Sequence, residues 1–146
     1  MIVHTTKIKL STQGFNDCKD ITPALVEQVR ESGVTEGLLT VMISGSTGGV
    51  TTMEFESGVI RDLKEALELI APTEKEYAHN LRWGDGNGFS HVRAALMKPS
   101  LSVPVMGGEL CLGTWQQVVF LDFDNRSRQR SLTVQVIGNR DVGERQ

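Results

Sequence analysis

The chain has 146 residues, 39% apolar and 23% charged, with a formal net charge of −3. That is enough to bury one core and too little for two, so a single domain over residues 1–146 is expected. Lys and Arg are scattered, which leaves no basic stripe for a nucleic-acid backbone. No apolar run approaches the ~20 residues that span a bilayer. The first residues, Met1 to Lys7, lack the pattern of a secretory signal, so a cytoplasmic location is expected. The two cysteines, Cys18 and Cys111, are far apart and form no CxxC pair, which fits two free thiols in a reducing compartment.

Ile2 to Leu10 alternates with period two and reads as a half-buried strand at a sheet edge or against another subunit. Thr22-Pro23 opens a helix carrying Leu25, Val26 and Val29 at helical spacing, and Gly33 stops it, which predicts a helix over 22–32. Two β-rich runs, 38–44 and 50–56, flank the polar loop Gly45 to Gly49. Ser57-Gly58 begins a second helix whose face is Ile60, Leu63, Leu67 and Ile70, with Pro72 beyond its end. Periodicity then vanishes from Thr73 to Phe89, where the run 83–88 is rich in glycine; a long ordered loop of this kind is usually functional. Ser90 can cap a short helix to Met97, ended by Pro99. Strands are expected at 101–106, 109–112, 115–123 and 130–138, with Gly107-Gly108 as a two-residue hairpin turn and 125–128 as a polar connection. Strands and helices do not alternate, and no glycine-rich phosphate loop follows the first strand. The fold class is therefore α+β, with a largely antiparallel, strongly curved sheet or two-sheet sandwich and about three helices.

Of three histidines, His79 and His91 bracket the long loop. Neutral imidazoles in proximity can hold zinc, nickel or manganese, although a spacing of twelve matches no named zinc signature, and plain loop and capping roles suit the same residues. His4 reads as an ordinary strand residue. Asn80, Asp85 and Asn87 lie between the pair and can ligate a metal, orient an imidazole or simply form turns. On the strand 50–56, Glu54 shares a face with Thr52 and Glu56. Such a face is commonly solvated, but if it lines a cleft Glu54 can bind a metal or act as a base. The loop 45–49 brings hydroxyls and unhindered N–H groups that can wrap an oxyanion, or it is a plain flexible loop. Arg93 could clamp a phosphate or be solvated. No GxSxG elbow is present, which disfavours a Ser-His-Asp hydrolase.

Four segments occur together: the run from Gly45 through Ser46, Thr47 and Gly48 to Glu54; Tyr77-Ala78-His79-Asn80; Ser90-His91-Val92-Arg93 onward to Leu96; and Leu112-Gly113-Thr114-Trp115-Gln116-Gln117. In order and spacing, over about Thr5 to Gly138, the chain resembles the YjbQ-like family, often labelled secondary thiamine-phosphate synthase enzymes. The resemblance implies a compact α+β homotrimer with a pocket near subunit boundaries. It also implies transfer chemistry that joins an aminopyrimidine diphosphate to a thiazole phosphate with release of diphosphate. Such chemistry calls for a divalent metal, magnesium or zinc, and donors around the leaving group. Carried onto this chain, the catalytic residues would be Glu54, His79 and His91, and the metal ligands His79, His91, Glu54 and Asp85. Ser46, Thr47, Asn80 and Arg93 would bind the small phosphorylated metabolite, and Trp115 and Gln116 its ring, although Trp115 also suits a core anchor. Two departures stand out: Gly45 sits where many relatives carry another histidine, and Lys98 where many have glycine. The competing class is a non-catalytic trimer that binds a divalent metal or small anionic metabolite, with a metal-dependent hydrolase as a weaker third.

Overall fold

The computed structural model describes residues 1–141. Twelve elements follow one another: β1 (Ile2–Thr12), β2 (Asp17–Asp20), α1 (Thr22–Ser32), β3 (Glu36–Ile43), β4 (Gly48–Met53), α2 (Ser57–Ile70), α3 (Ala78–Trp83), α4 (Gly88–Met97), β5 (Ser100–Met106), β6 (Glu109–Leu110), β7 (Gln117–Asp122) and β8 (Arg128–Asn139). The strands form two antiparallel sheets, a larger one in the order β1-β8-β3-β5-β6 and a smaller one in the order β2-β7-β4. The α+β class is thus present with a curled antiparallel sheet, a second small sheet and four helices. No helix among the described residues is long and apolar enough to cross a membrane.

Hydrophobic pattern explains the layering. β1 is an edge strand, and its side chains alternate between exposed and half-buried up to Thr12, which is buried, as period two requires with one face covered. β7 does not alternate: Val118 through Asp122 are all buried. One of its faces, Val118 and Phe120, joins Val50, Leu39, Val41, Val103, Leu132, Val134 and the α1 residues Leu25 and Val29 in the main core. Its other face, Val119 and Leu121, packs with Phe123, Leu67 and Ala94 beneath the helices. A strand covered on both faces loses its alternation and reads as a continuous apolar run.

α1 begins and ends at the residues its sequence signals name, with Pro23 in its first turn and Gly33 closing it at φ 73°. α2 is capped by Glu56, whose carboxylate accepts from the N–H groups of Gly58 and Val59, a capping arrangement that satisfies two orphan donors. Only Leu67 of its expected apolar face is fully buried, and Ile70 is exposed.

Several expected boundaries shift for physical reasons. The stretch expected as a loop over 73–89 contains α3, a helix too short to show periodicity. Buried Tyr77 anchors its start by donating to the Pro72 carbonyl at 2.6 Å, and Gly84 ends it at φ 69°. Gly48 and Gly49 belong to β4 rather than to the loop before it. A Cβ on Gly48 would meet the Phe120 ring at 2.8 Å and one on Gly49 the Met97 side chain at 2.5 Å, so glycine there permits close packing against β7 and α4. β4 ends at Met53, before Glu54, because the chain turns so that Glu56 can cap α2. The four-residue strand β2, mostly polar, carries no pattern that sequence alone distinguishes from a loop.

Candidate functional site

The N-terminal end of β4, the C-terminal end of β7 and the start of β8 converge below the two histidines. Asp122 and Asp124 extend the buried strand β7 and are themselves buried. Arg130 on β8 reaches Asp122 through two nitrogens, Nε to Oδ2 at 2.7 Å and Nη2 to Oδ1 at 2.8 Å. This is the bidentate fork that suits a guanidinium to a carboxylate. Thr12 donates to Asp122 at 2.5 Å. Arg128 pairs with Asp124, its Nη2 lying 2.6 Å from Oδ2. Thr47 joins the two acids: its hydroxyl accepts from Arg130 Nη2 at 2.8 Å and donates to Asp124 Oδ2 at 3.3 Å. Buried carboxylates persist only when paired and bonded on several sides, and these are. Burial acts to raise the Asp124 carboxyl, but the donors of Asn125, Asn87 and Arg128 outweigh it and hold it below its ordinary value.

From this platform a chain of polar contacts climbs to the surface. Asn87 Nδ2 donates to Asp124 Oδ1 at 3.2 Å, and Asn87 Oδ1 faces His79 Nε2 at 3.0 Å. The same His79 nitrogen lies 3.3 Å from Asp85 Oδ1. His79 on α3 and His91 on α4 bring their ring centroids to 4.3 Å, tilted by 45°. Burial, with the neighbouring His79 as the next cause, pushes the His91 imidazole below its ordinary value despite the opposing pull of Asp85 and Asp124, so it is neutral at pH 7. Beside His91 lies a small cavity of about 200 Å³ lined also by Gly45, Ser46, Gly48, Ala94 and Pro99. Arg130 points its remaining nitrogen toward this side: a Cβ built on Gly45 would lie 3.7 Å from Nη1. Every buried side-chain nitrogen or oxygen among the described residues has a partner. Nη1 of Arg130, both ring nitrogens of His91 and Nδ1 of His79 form no hydrogen bond there, so they are reachable from outside.

The structure divides the residues singled out from sequence into separate places. His79, His91, Asp85, Ser46 and Thr47 come together. Glu54, Trp115 and Gln116 lie toward the other end of β4: Glu54 is six positions from Gly48, roughly 20 Å along an extended strand, and there Gln116 bonds Thr52 Oγ1 at 3.0 Å. Glu54 is solvent-exposed, and Trp115, 73% exposed, is no core anchor. Asn80 accepts from the Gly88 N–H at 2.9 Å and so fastens the start of α4. Arg93 is not solvated but buried, all three guanidinium nitrogens engaged by Ala71, Asn16, Glu68 and Thr73. Cys18, whose thiol burial pushes up to about 11, and exposed Cys111 are unpaired.

A metal held by His79, His91, Glu54 and Asp85 is not what these side chains fit. Among the described residues no group of three or more His, Cys, Asp or Glu side chains converges as a metal site would. Asp85 approaches His79 on the Nε2 edge, 3.3 Å away, the same edge that Asn87 Oδ1 already occupies at 3.0 Å. Asp122, Asp124 and Arg130 were not singled out from sequence. The signal available was two acids spaced by two at the end of the apolar run 118–124, followed by three arginines in 126–130.

Comparison with known proteins places this arrangement in context. A UPF0047 protein of Methanothermobacter thermautotrophicus is 36% identical over 138 residues, covering 94% of each chain. One from Archaeoglobus fulgidus is 38% identical, over 85% of this chain and 94% of that one. Among solved structures, a YbjQ-like protein of unknown function from Sulfolobus solfataricus superposes with a TM-score of 0.89 at 27% identity, covering 94% of this chain and 98% of the other. An uncharacterised YjbQ/UPF0047 protein of Clostridium acetobutylicum gives 0.83 at 33% identity, covering 90% and 99%. The family model described as UPF0047 protein YjbQ-like matches residues 6–139, and the chain belongs to that family.

Proposed function

We propose that this chain binds a small anionic metabolite, phosphate-bearing in the first instance, against the His79–His91 pair. The observation that carries the reading is the pair itself, two imidazoles 4.3 Å apart, one tied through Asn87 to a buried carboxylate and the other held neutral by burial. The anion-reading side of the site is Arg130 Nη1 with the exposed Ser46 hydroxyl, while the imidazoles receive a proton-bearing group of the same ligand.

A transfer joining an aminopyrimidine diphosphate to a thiazole phosphate is the more specific form of this reading. Two imidazoles beside a cation favour it, since the substrates are anionic and the reacting aminopyrimidine carries N–H groups. Against it stands the engagement of Arg93, which leaves Arg130 Nη1 as the guanidinium nitrogen identified at the site for a leaving diphosphate. The reading includes a homotrimer with its pockets near subunit boundaries. Leu81 and Trp83, exposed on the same short helix as His79, support a face that a second copy covers. A stable monomer at micromolar concentration in sedimentation would refute that part.

The test is formation of thiamine phosphate from the two precursors with magnesium, run beside equilibrium binding of inorganic pyrophosphate, on the natural chain and on His79→Ala and His91→Ala. Turnover lost in both variants establishes the transferase. Saturable binding without turnover, weakened in both variants, establishes the binding protein. Neither turnover nor binding removes the site from consideration.

A further inference from the structure

The polar chain under His79 has a direction. Asp124 accepts from Asn125 N–H at 2.8 Å through Oδ1, and from Arg128 Nε at 2.9 Å and Thr47 through Oδ2. With those donors it is ionised and can only accept. The Asn87 side-chain atom at 3.2 Å from Asp124 must therefore be its NH2 group, which turns the amide oxygen toward His79. That oxygen, 3.0 Å from Nε2, can only accept, and so can Asp85 Oδ1 at 3.3 Å from the same nitrogen. The hydrogen bond to the Asn87 oxygen requires a proton on that nitrogen, the Asp85 carboxylate beside it favours the proton there, and a neutral imidazole carries only one. The orientation of an amide and the tautomer of an imidazole follow from the network around them, and here the network ends in a buried, ionised carboxylate.

We propose that Asn87 and Asp124 are positioning residues that hold His79 as its Nε2–H tautomer, so that its accessible Nδ1 lone pair is the proton acceptor of the site. The arrangement follows the logic of a histidine oriented by an acid on its far nitrogen, with an amide inserted between the two. It specifies the ligand further: beside its anionic group, the ligand presents an N–H or O–H donor to Nδ1. That consequence rests on the small-metabolite reading above, whereas the tautomer does not.

The experiment is a long-range 1H–15N spectrum of the imidazoles of the full, ligand-free chain, at a pH where they are neutral. His79 is expected as essentially one tautomer with the proton on Nε2. A His79 protonated on Nδ1 in the natural chain overturns the proposal outright. In Asp124→Asn, Arg128 and Thr47 keep the new amide oxygen, its NH2 faces Asn87, and the Asn87 amide turns over and offers a donor to Nε2. The single-tautomer signature of His79 is then lost toward Nδ1–H, while that of His91 is unchanged. Asn87→Leu removes the relay without touching Arg128 and is expected to give a mixture of the two forms. A His79 signature unchanged in Asn87→Leu, with the backbone spectrum still that of the folded chain, also overturns the proposal. Loss of pyrophosphate binding plays no part in this readout, so failure of the metabolite reading and failure of the tautomer relay are told apart.

Discussion

Two arginines lie inside this molecule, and they do different things. Arg93 is 1% exposed; its Nε and Nη2 both donate to the Ala71 carbonyl, Nη2 also reaches Glu68 Oε2 at 2.7 Å, and Nη1 reaches Asn16 Oδ1 at 3.0 Å. Its guanidinium also lies 4.9 Å from the centre of the Phe89 ring. It ties the end of α2 and the β1–β2 connection to α4 and has no nitrogen left for a ligand. Arg130 anchors two nitrogens on Asp122 and keeps Nη1 toward Gly45. What a cation has left to donate, rather than the presence of the cation, distinguishes a structural clasp from a binding group.

The largest expected effect tests the anchoring of Arg130. Asp122→Ala takes from a 12% exposed guanidinium its bidentate partner, leaving only Asp124 at 3.8 Å, and leaves Thr12 only the Arg128 carbonyl at 3.4 Å, which is expected to cost about 3 kcal/mol of stability. Urea denaturation would read this as a lower midpoint with an unchanged slope. Arg93→Ala follows, orphaning the Ala71 carbonyl and removing a packed side chain, a loss on the order of 3 kcal/mol. Its ion pair with Glu68 is a minor share, because the Glu68 side chain is 52% exposed. Glu68→Gln should accordingly cost less than about 1 kcal/mol, and a loss as large as that of Arg93→Ala would mean that the ion pair, not the buried carbonyl, is what Arg93 serves. Smaller again in stability, Arg130→Lys keeps the charge beside Asp122 but gives up the fork. Pyrophosphate affinity should fall about tenfold or more, the loss of one charge-assisted hydrogen bond. An unchanged affinity would show that Nη1 reads no anion.

Much of the frame was legible because periodicity and punctuation report local structure directly. Thr22-Pro23 with Gly33 bounded α1, and Ser57-Gly58 with Pro72 framed α2, whereas the cap that Glu56 supplies was not legible in the run read as strand. The site was legible in part. The chemistry of imidazoles singled out His79 and His91, and the glycine-rich stretch between them was indeed where the chain folds the two together. Grouping Glu54 with them required knowing which end of β4 faces the histidines, which strand alternation does not report: period two assigns a face, not an end. Arg93 was opaque for a related reason, since its partners Asn16, Glu68 and Ala71 are 22 to 77 positions away and only the tertiary fold joins them. Asp122 and Asp124 looked like the polar end of a strand; that they are buried depends on Arg128 and Arg130 returning beside them on β8.

The smallest effect concerns His91, which like Arg130 keeps nitrogens unengaged. Burial first, and the neighbouring His79 second, hold it below its ordinary value, so between about pH 6.5 and its lower folded midpoint the unfolded chain binds a proton that the folded chain does not. Stability therefore rises with pH across that window, is complete above it, and falls as the solution is acidified through it. An NMR titration should place the His91 midpoint below that of an exposed histidine, and His79→Gln should move it upward only part of the way, because burial remains after the neighbouring charge is gone. A midpoint restored fully by His79→Gln would mean that the pair repels through charge alone and that His91 is open to water. In that case the cavity beside it would be a wet surface cleft, and the distinction between engaged and available groups would not by itself mark a binding site.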